Sequence, residues 1–205
     1  MTTNQTKTFA SLFVAGNLFG VFPIAGQAGV YRPHELSDWT SSIIANPTAH
    51  ILSPLLFLVG ALGGMALGWH CINHGKRWVG SLLLVGSGWN ALFIPIPLIL
   101  AQLTFRGHDI VGLGTEIALS LALFGDAMFN GLMGVGLALL GNSLKESSPK
   151  TGWSGIVIGI MTTCVIAQFE LTAAADLLKV AGFLWLGWWL FWGWSVGLSH
   201  TQTDG

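Results

Sequence analysis

The sequence predicts an all-α fold, a polytopic transmembrane bundle of about six spanning helices, and three observations predict it. Only 8% of the residues are charged while 52% are apolar. The apolar residues come in long blocks: Val180 to Leu198 runs nineteen residues without a charge, and comparable runs recur five times upstream. Inside these blocks polarity does not alternate residue by residue, as it would in a membrane β-barrel. A hydrocarbon layer ~30 Å thick takes about 20 apolar helical residues to cross, and backbone groups inside it must bond within their own segment. A soluble domain carries about 25% charged residues. This chain does not fit that class.

The elements follow in order. Helical spans are expected at Phe9–Val30, Pro47–Ile72, Trp78–Thr104, Gly112–Gly141, Trp153–Ala175 and Val180–Ser199, all within one domain covering residues 1–205. The polar stretch Met1 to Thr8 precedes an apolar run without an Ala-x-Ala cleavage site, so that run is read as the first span. Tyr31-Arg32-Pro33-His34 stops it, and Asn46-Pro47 opens the second, with the residues between read as a loop. His74-Gly75-Lys76-Arg77 makes a tight turn, and Lys145 to Gly152, with Ser-Ser-Pro inside, a polar loop. Lys7, Lys76, Arg77, Lys145 and Lys150 fall on one side of this arrangement, and Arg32, Arg106 and Lys179 on the other. The side richer in Lys and Arg is expected in the cytoplasm, which places both termini inside a cell membrane, a bacterial inner membrane by this reading.

Small residues let helices approach where lipid and Leu are equally apolar. Gly60, Gly64 and Gly68 form one row at i, i+4 spacing, and Gly16/Gly20, Gly155/Gly159 and Gly193/Gly197 repeat it. These rows are expected to pack helices within the chain; an oligomer or partner interface is the sharper alternative. Pro95 and Pro97 each remove a backbone donor and predict a kink near Phe93–Leu98. Broken helices of this kind create binding sites at mid-depth in some bundles and are simple packing features in others.

Ionisable side chains inside a membrane are costly and point to function. Asp126 lies near the centre of the fourth span, with Glu116 toward its outer end and Glu170 toward the outer end of the fifth. At helical periodicity Glu116, Ser120, Asp126 and Asn130 fall within a stripe about 120° wide, expected to face the bundle interior. Asp126 bonded to Asn130, Asn90 or Asn17 would be polar glue; otherwise it titrates or holds a ligand. The expected ligand-binding set is Asp126, Asn130, Glu116, Glu170 and Asn90. Trp185, Trp188, Trp189 and Trp192 add an aromatic stripe at i, i+3, i+4, i+7. It is either packed core or a flat surface for a lipophilic ring such as a quinone, sterol-like lipid or pigment.

Metal and cofactor signals are weaker. His34, Glu35, Asp38, His50, His108, Asp109 and Asp176 share the outer side without a metal-ligand spacing. His70 and His74 are an i, i+4 pair lacking a local third ligand, and His70 with His200 is the arrangement open to a haem. No metal site is assigned and no cofactor is named. Cys71 and Cys164 read as small core residues. A net charge of -1 leaves nothing to bind nucleic acid. Phosphate loops, Ser–His–Asp order, H-E-x-x-H and C-x-x-C are all missing, which removes the common hydrolase, NTPase and thiol chemistries.

Ala45-Asn46-Pro47-Thr48 leading into the second span, and Gly131 to Gly141 followed by a short polar loop and Gly152-Trp153, carry a resemblance. The layout resembles an uncharacterised family of six-span bacterial membrane proteins. The resemblance implies the topology and, since that family has no assigned catalytic residues, no activity. Three functions stay open on the residues. The first is a polar pocket that binds or passes a small ligand, proton or ion. The second is an accessory subunit contacting partner helices, lipid or pigment, with a homo-oligomer as its simplest form. The third is a membrane-embedded enzyme acting on a lipid.

Overall fold

The computed structural model describes residues 2–30, 32, 35–164 and 172–196. Among them every regular element is helical. α1 spans Thr2–Val21 and ends in a single tighter turn, Phe22–Ile24, around Pro23. The expected first span continued to Val30. It stops earlier because Pro23 lacks a donor and because Gly26 and Gly29 adopt φ values of 78° and 68°, which only glycine takes without strain. α1 also starts before Phe9, since nothing in its polar first turns opposes a helix.

α2, Leu36–Ala45, occupies a stretch expected to be loop. Leu36, Trp39 and Ile43 fall at i, i+3 and i+7, a short apolar stripe, and Trp39 and Ile43 are fully buried. Gly29 seats this helix: a β-carbon there would lie 2.7 Å from the Asp38 carbonyl carbon. The Ser42 hydroxyl adds a 2.7 Å hydrogen bond to the Ala28 carbonyl. Asn46 then caps α3, Pro47–Asn73, accepting from the Ala49 N–H with Pro47 in the first turn.

Gly75, at φ 81°, turns the chain into α4, Arg77–Phe93. The expected kink is present: helical bonding reaches the Ile94 N–H, and α5 restarts at Pro95 and runs to Phe105. α6, Leu113–Leu144, has 32 residues and is about 48 Å long. α7 covers Pro149–Thr163 and α8 Thr172–Phe191, followed by a wider turn at Trp192–Val196. The break expected between Ala175 and Val180 falls inside α8. Asp176, Leu177, Leu178 and Lys179 contain no Gly or Pro, and two charges do not stop a helix.

Among the described residues four stretches are long and apolar enough to cross a membrane: Asn4–Ile24, Pro47–Asn73, Arg77–Phe105 and Leu113–Leu144. Residues 165–171, within the expected fifth span, lie outside the described residues, as do 197–200 at the end of the sixth. α1 packs on α3, α3 on α4, α4 on α6 and α6 on α7, while α8 lies against α1 and α7.

Many large apolar side chains lie on the outside, and several polar ones lie within. Leu62, Leu92, Val111 and Leu113 are exposed, whereas Ser87 is wholly buried and Asn17, His50, His70 and Asn90 nearly so. Contiguous apolar exteriors on this scale are foreign to soluble monomers. The glycine rows serve the interior. A β-carbon on Gly16 would meet the Gly60 backbone, one on Gly68 would sit 2.7 Å from the Gly80 carbonyl, and one on Gly159 2.6 Å from the Gly134 carbonyl.

Two apolar clusters result. One joins Phe13, Leu67, Phe129, Met133, Leu137 and the tryptophans of α8; the other joins Trp39, Ile43, Leu100, Ile110, Leu119 and Leu123 beneath α2. On α6, Asp126 falls in the stretch between Leu123 of the second cluster and Phe129 of the first.

Candidate functional site

Two of the buried polar residues, Asn17 and Asn90, come together with Asp126 beside Trp39 and Ala122 of the second cluster. Asn17 on α1, Asn90 on α4 and Asp126 on α6 line a partly open cavity of about 30 Å³, together with Trp39, Phe57, Phe93, Ile94, Pro97 and Ala122. On this measure about 10–15 Å³ holds a water, so the space takes a water or a small ion and excludes a lipid.

Each wall follows from local sequence. Gly16 and Gly60 let α1 and α3 cross in backbone contact, which brings Asn17 inward beside them. The Asn17 amide nitrogen donates a 2.7 Å hydrogen bond to the Phe13 carbonyl. Its Oδ1 is therefore the group it can offer the cavity. Gly125 makes room for Phe93, whose Cβ would lie 2.5 Å from a β-carbon at that position. The residue after Gly125 is Asp126, so the same contact sets the kink of α4–α5 against the carboxylate. Pro95 and Pro97 cannot donate, so the carbonyls of Ala91 and Phe93 lose their i+4 partners. Trp39 of α2 is part of the same lining.

Asp126 has one polar neighbour on its own helix. The Asn130 amide nitrogen donates at 2.9 Å to the Asp126 carbonyl oxygen. No cationic side chain lines the cavity, and the sole salt bridge among the described residues, Arg32 to Glu35 at 3.2 Å, lies in the loop before α2. Asp126 lines this small space without a protein countercharge among the described residues.

Of the expected set, Asp126 and Asn90 meet at the cavity and Asn130 lies one turn away. Glu116 does not join them. It stands in the first turn of α6, ten residues and about 15 Å along the helix from Asp126, where a carboxylate complements the helix dipole. Ser120, expected on the same inward stripe, is exposed and bonds back to the Glu116 carbonyl at 2.8 Å. Ten residues do not complete a whole number of helical turns, so the stripe drifts off the inner face. Glu170 lies outside the described residues.

Trp185, Trp188, Trp189 and Trp192 are buried away from the cavity: Trp189 is edge-on to Trp188, Trp192 and Phe13, and Trp185 is edge-on to Phe129 and tilted against Phe13. The Trp188 indole donates to the Thr151 carbonyl at 3.2 Å, while those of Trp185, Trp189 and Trp192 have no acceptor among the described residues. The stripe is filled by protein on the faces these contacts occupy.

The histidines are placed structurally. His50 donates from Nε2 to the Gln27 carboxamide oxygen at 2.7 Å, and the Ser53 hydroxyl nearby bonds the Gly20 carbonyl at 2.6 Å. His70 meets the Thr6 hydroxyl at 3.1 Å, and His74 donates from Nδ1 to the His70 carbonyl at 2.8 Å. Among the described residues no three His, Cys, Asp or Glu side chains gather as metal ligands. His200 lies outside the described residues.

Trp39, Phe57, Phe93 and Pro97 complete the cavity and were not among the expected site residues. The i, i+3, i+7 stripe of α2 is the signal that places Trp39 inward; Phe57 carries no signal separable from an ordinary apolar position. Comparison with family models, with curated proteins and with solved structures finds no match for this chain.

Proposed function

We propose that this chain is an integral membrane protein of six spans, with both termini cytoplasmic, whose interior cavity binds or passes a small ligand, proton or ion. The observation that supports this is Asp126, which lines a small cavity together with the amides Asn17 and Asn90 and has no protein cation beside it among the described residues. A charge in a low-dielectric interior is retained only where something compensates it. A proton or a bound ligand supplies that compensation here. The cavity's size favours a species no larger than a few atoms. The Trp stripe, already packed against protein on several faces, gives less support to a pigment or large lipid as the occupant.

The test compares wild type with Asp126→Asn, purified in mild detergent, by unfolding temperature across pH and across a panel of small cations and small polar solutes. At least one condition is expected to shift the wild type and leave the variant unmoved. Identical responses throughout would remove the pocket as a functional site.

A further inference from the structure

Resting on that reading, we propose that the cavity is a site for one partly dehydrated alkali cation, of the sodium class. The argument starts from charge. Asp126 is the only ionisable side chain among the lining residues, and the others offer amide oxygens or apolar surface. One positive charge neutralises the site. A divalent ion would leave a net charge of one in a low-dielectric interior, and such ions take several carboxylates among their six to eight oxygen ligands. Anions meet only repulsion from the carboxylate, and no Lys, Arg or His faces the space.

The ligand supply argues next. A proton on Asp126 alone would neutralise the charge and needs neither a cavity nor further oxygens. This site has both. Asn17 has its amide nitrogen committed to the Phe13 carbonyl, which leaves an oxygen to offer, and Asn90 stands in the wall formed by the end of α4. The helix break lies in the same wall: Phe93, Ile94 and Pro97 all line the cavity. Pro97 deprives the Phe93 carbonyl of its helical donor. Backbone oxygens released at a broken helix, together with a carboxylate and neutral amides, are the hard oxygen donors an alkali cation requires. The volume of about 30 Å³ fits such an ion with at most a little water.

The experiment uses the purified full chain in detergent at fixed pH and fixed ionic strength, with sodium chloride titrated against choline chloride. Two readouts run together: unfolding temperature and equilibrium binding of radioactive ²²Na⁺. Wild type is expected to bind ²²Na⁺ at a single saturable site. Its unfolding temperature should rise about 2–4 °C or more once sodium exceeds the dissociation constant several-fold. Asp126→Asn should lose both responses, and Asn90→Leu should weaken the affinity at least tenfold while keeping the fold. If wild type binds no ²²Na⁺ and gains no stability from it, the cation assignment fails whatever the variants do. In that case an acid-dependent shift present in wild type and absent in Asp126→Asn would leave the pocket reading standing with a proton as occupant. No Asp126-dependent response of either kind would sink both.

Discussion

Asp126 shows how much a single side chain depends on its surroundings. Its neighbours across the cavity are two amides and a ring of apolar side chains, so its charge is a cost that folding alone does not recover. Asp126→Asn keeps the shape and the contact to Asn130 while removing that cost. In choline chloride at neutral pH the variant should therefore unfold at a temperature no lower than wild type. A marked loss of stability would mean that the carboxylate is structural. Glycines give a second residue-scale prediction. A methyl group on Gly16 would collide with the Gly60 backbone, which cannot retreat as a flexible side chain would. Gly16→Ala should cost about 1–3 kcal/mol, the usual penalty for overpacking. Gly88 on α4 has nothing within 4 Å of the same position, so Gly88→Ala should be neutral or stabilising by up to about 1 kcal/mol through helix propensity. Unfolding of the pair in parallel separates close packing from a general intolerance of added volume.

At the scale of elements, α2 and the α4–α5 break decide what the cavity is. α2 is too short to stand alone in water; it exists because Trp39 and Ile43 bury against α5 and α6. Trp39→Ala should remove about 3–5 kcal/mol of packing. Hydrogen exchange is expected to show the amides of 36–45 losing protection while those of α3 and the inner half of α6 keep theirs. Uniform loss across the chain would show instead that α2 belongs to the same cooperative unit as the bundle. The break has the opposite character, since Pro95 and Pro97 weaken a helix that would otherwise run unbroken from Arg77 to Phe105. The sequence announces the break through two prolines. It says nothing of α6 approaching it, which depends on Gly125 accepting Phe93.

For the whole molecule the proposed six-span topology makes a directional prediction. Lys76 follows α3 and Lys150 begins α7, while Arg106 follows α5, so the helix order places the first two at one end and Arg106 at the other. Cys71 is buried and Cys164 exposed, so the background for labelling is Cys164→Ser. In that background Lys150→Cys should react with a membrane-impermeant thiol reagent only after the cell membrane is opened, and Arg106→Cys should react in intact cells. The reverse pattern would invert the topology while leaving the cavity unchanged. The apolar exterior, with Leu62, Leu92 and Ile117 exposed, is the surface that lipid would cover.

Helix content, the apolar blocks, the proline break and the choice of Asp126 and Asn90 were legible in the sequence, because each depends on local chemistry. Composition sets the solvent a chain tolerates, proline removes a donor wherever it stands, and a carboxylate amid apolar residues is conspicuous without a structure. Other features were decided only in three dimensions. Asn17, Trp39 and Pro97 share a lining with Asp126 because glycines let α1 and α3, α3 and α4, and α6 and the end of α4 approach closely. Glu116 parts from Asp126 because helical rise and rotation accumulate over ten residues. A one-dimensional pattern records which side chains are available. Which of them meet is set by distances between helices, and those depend on contacts far apart in the chain.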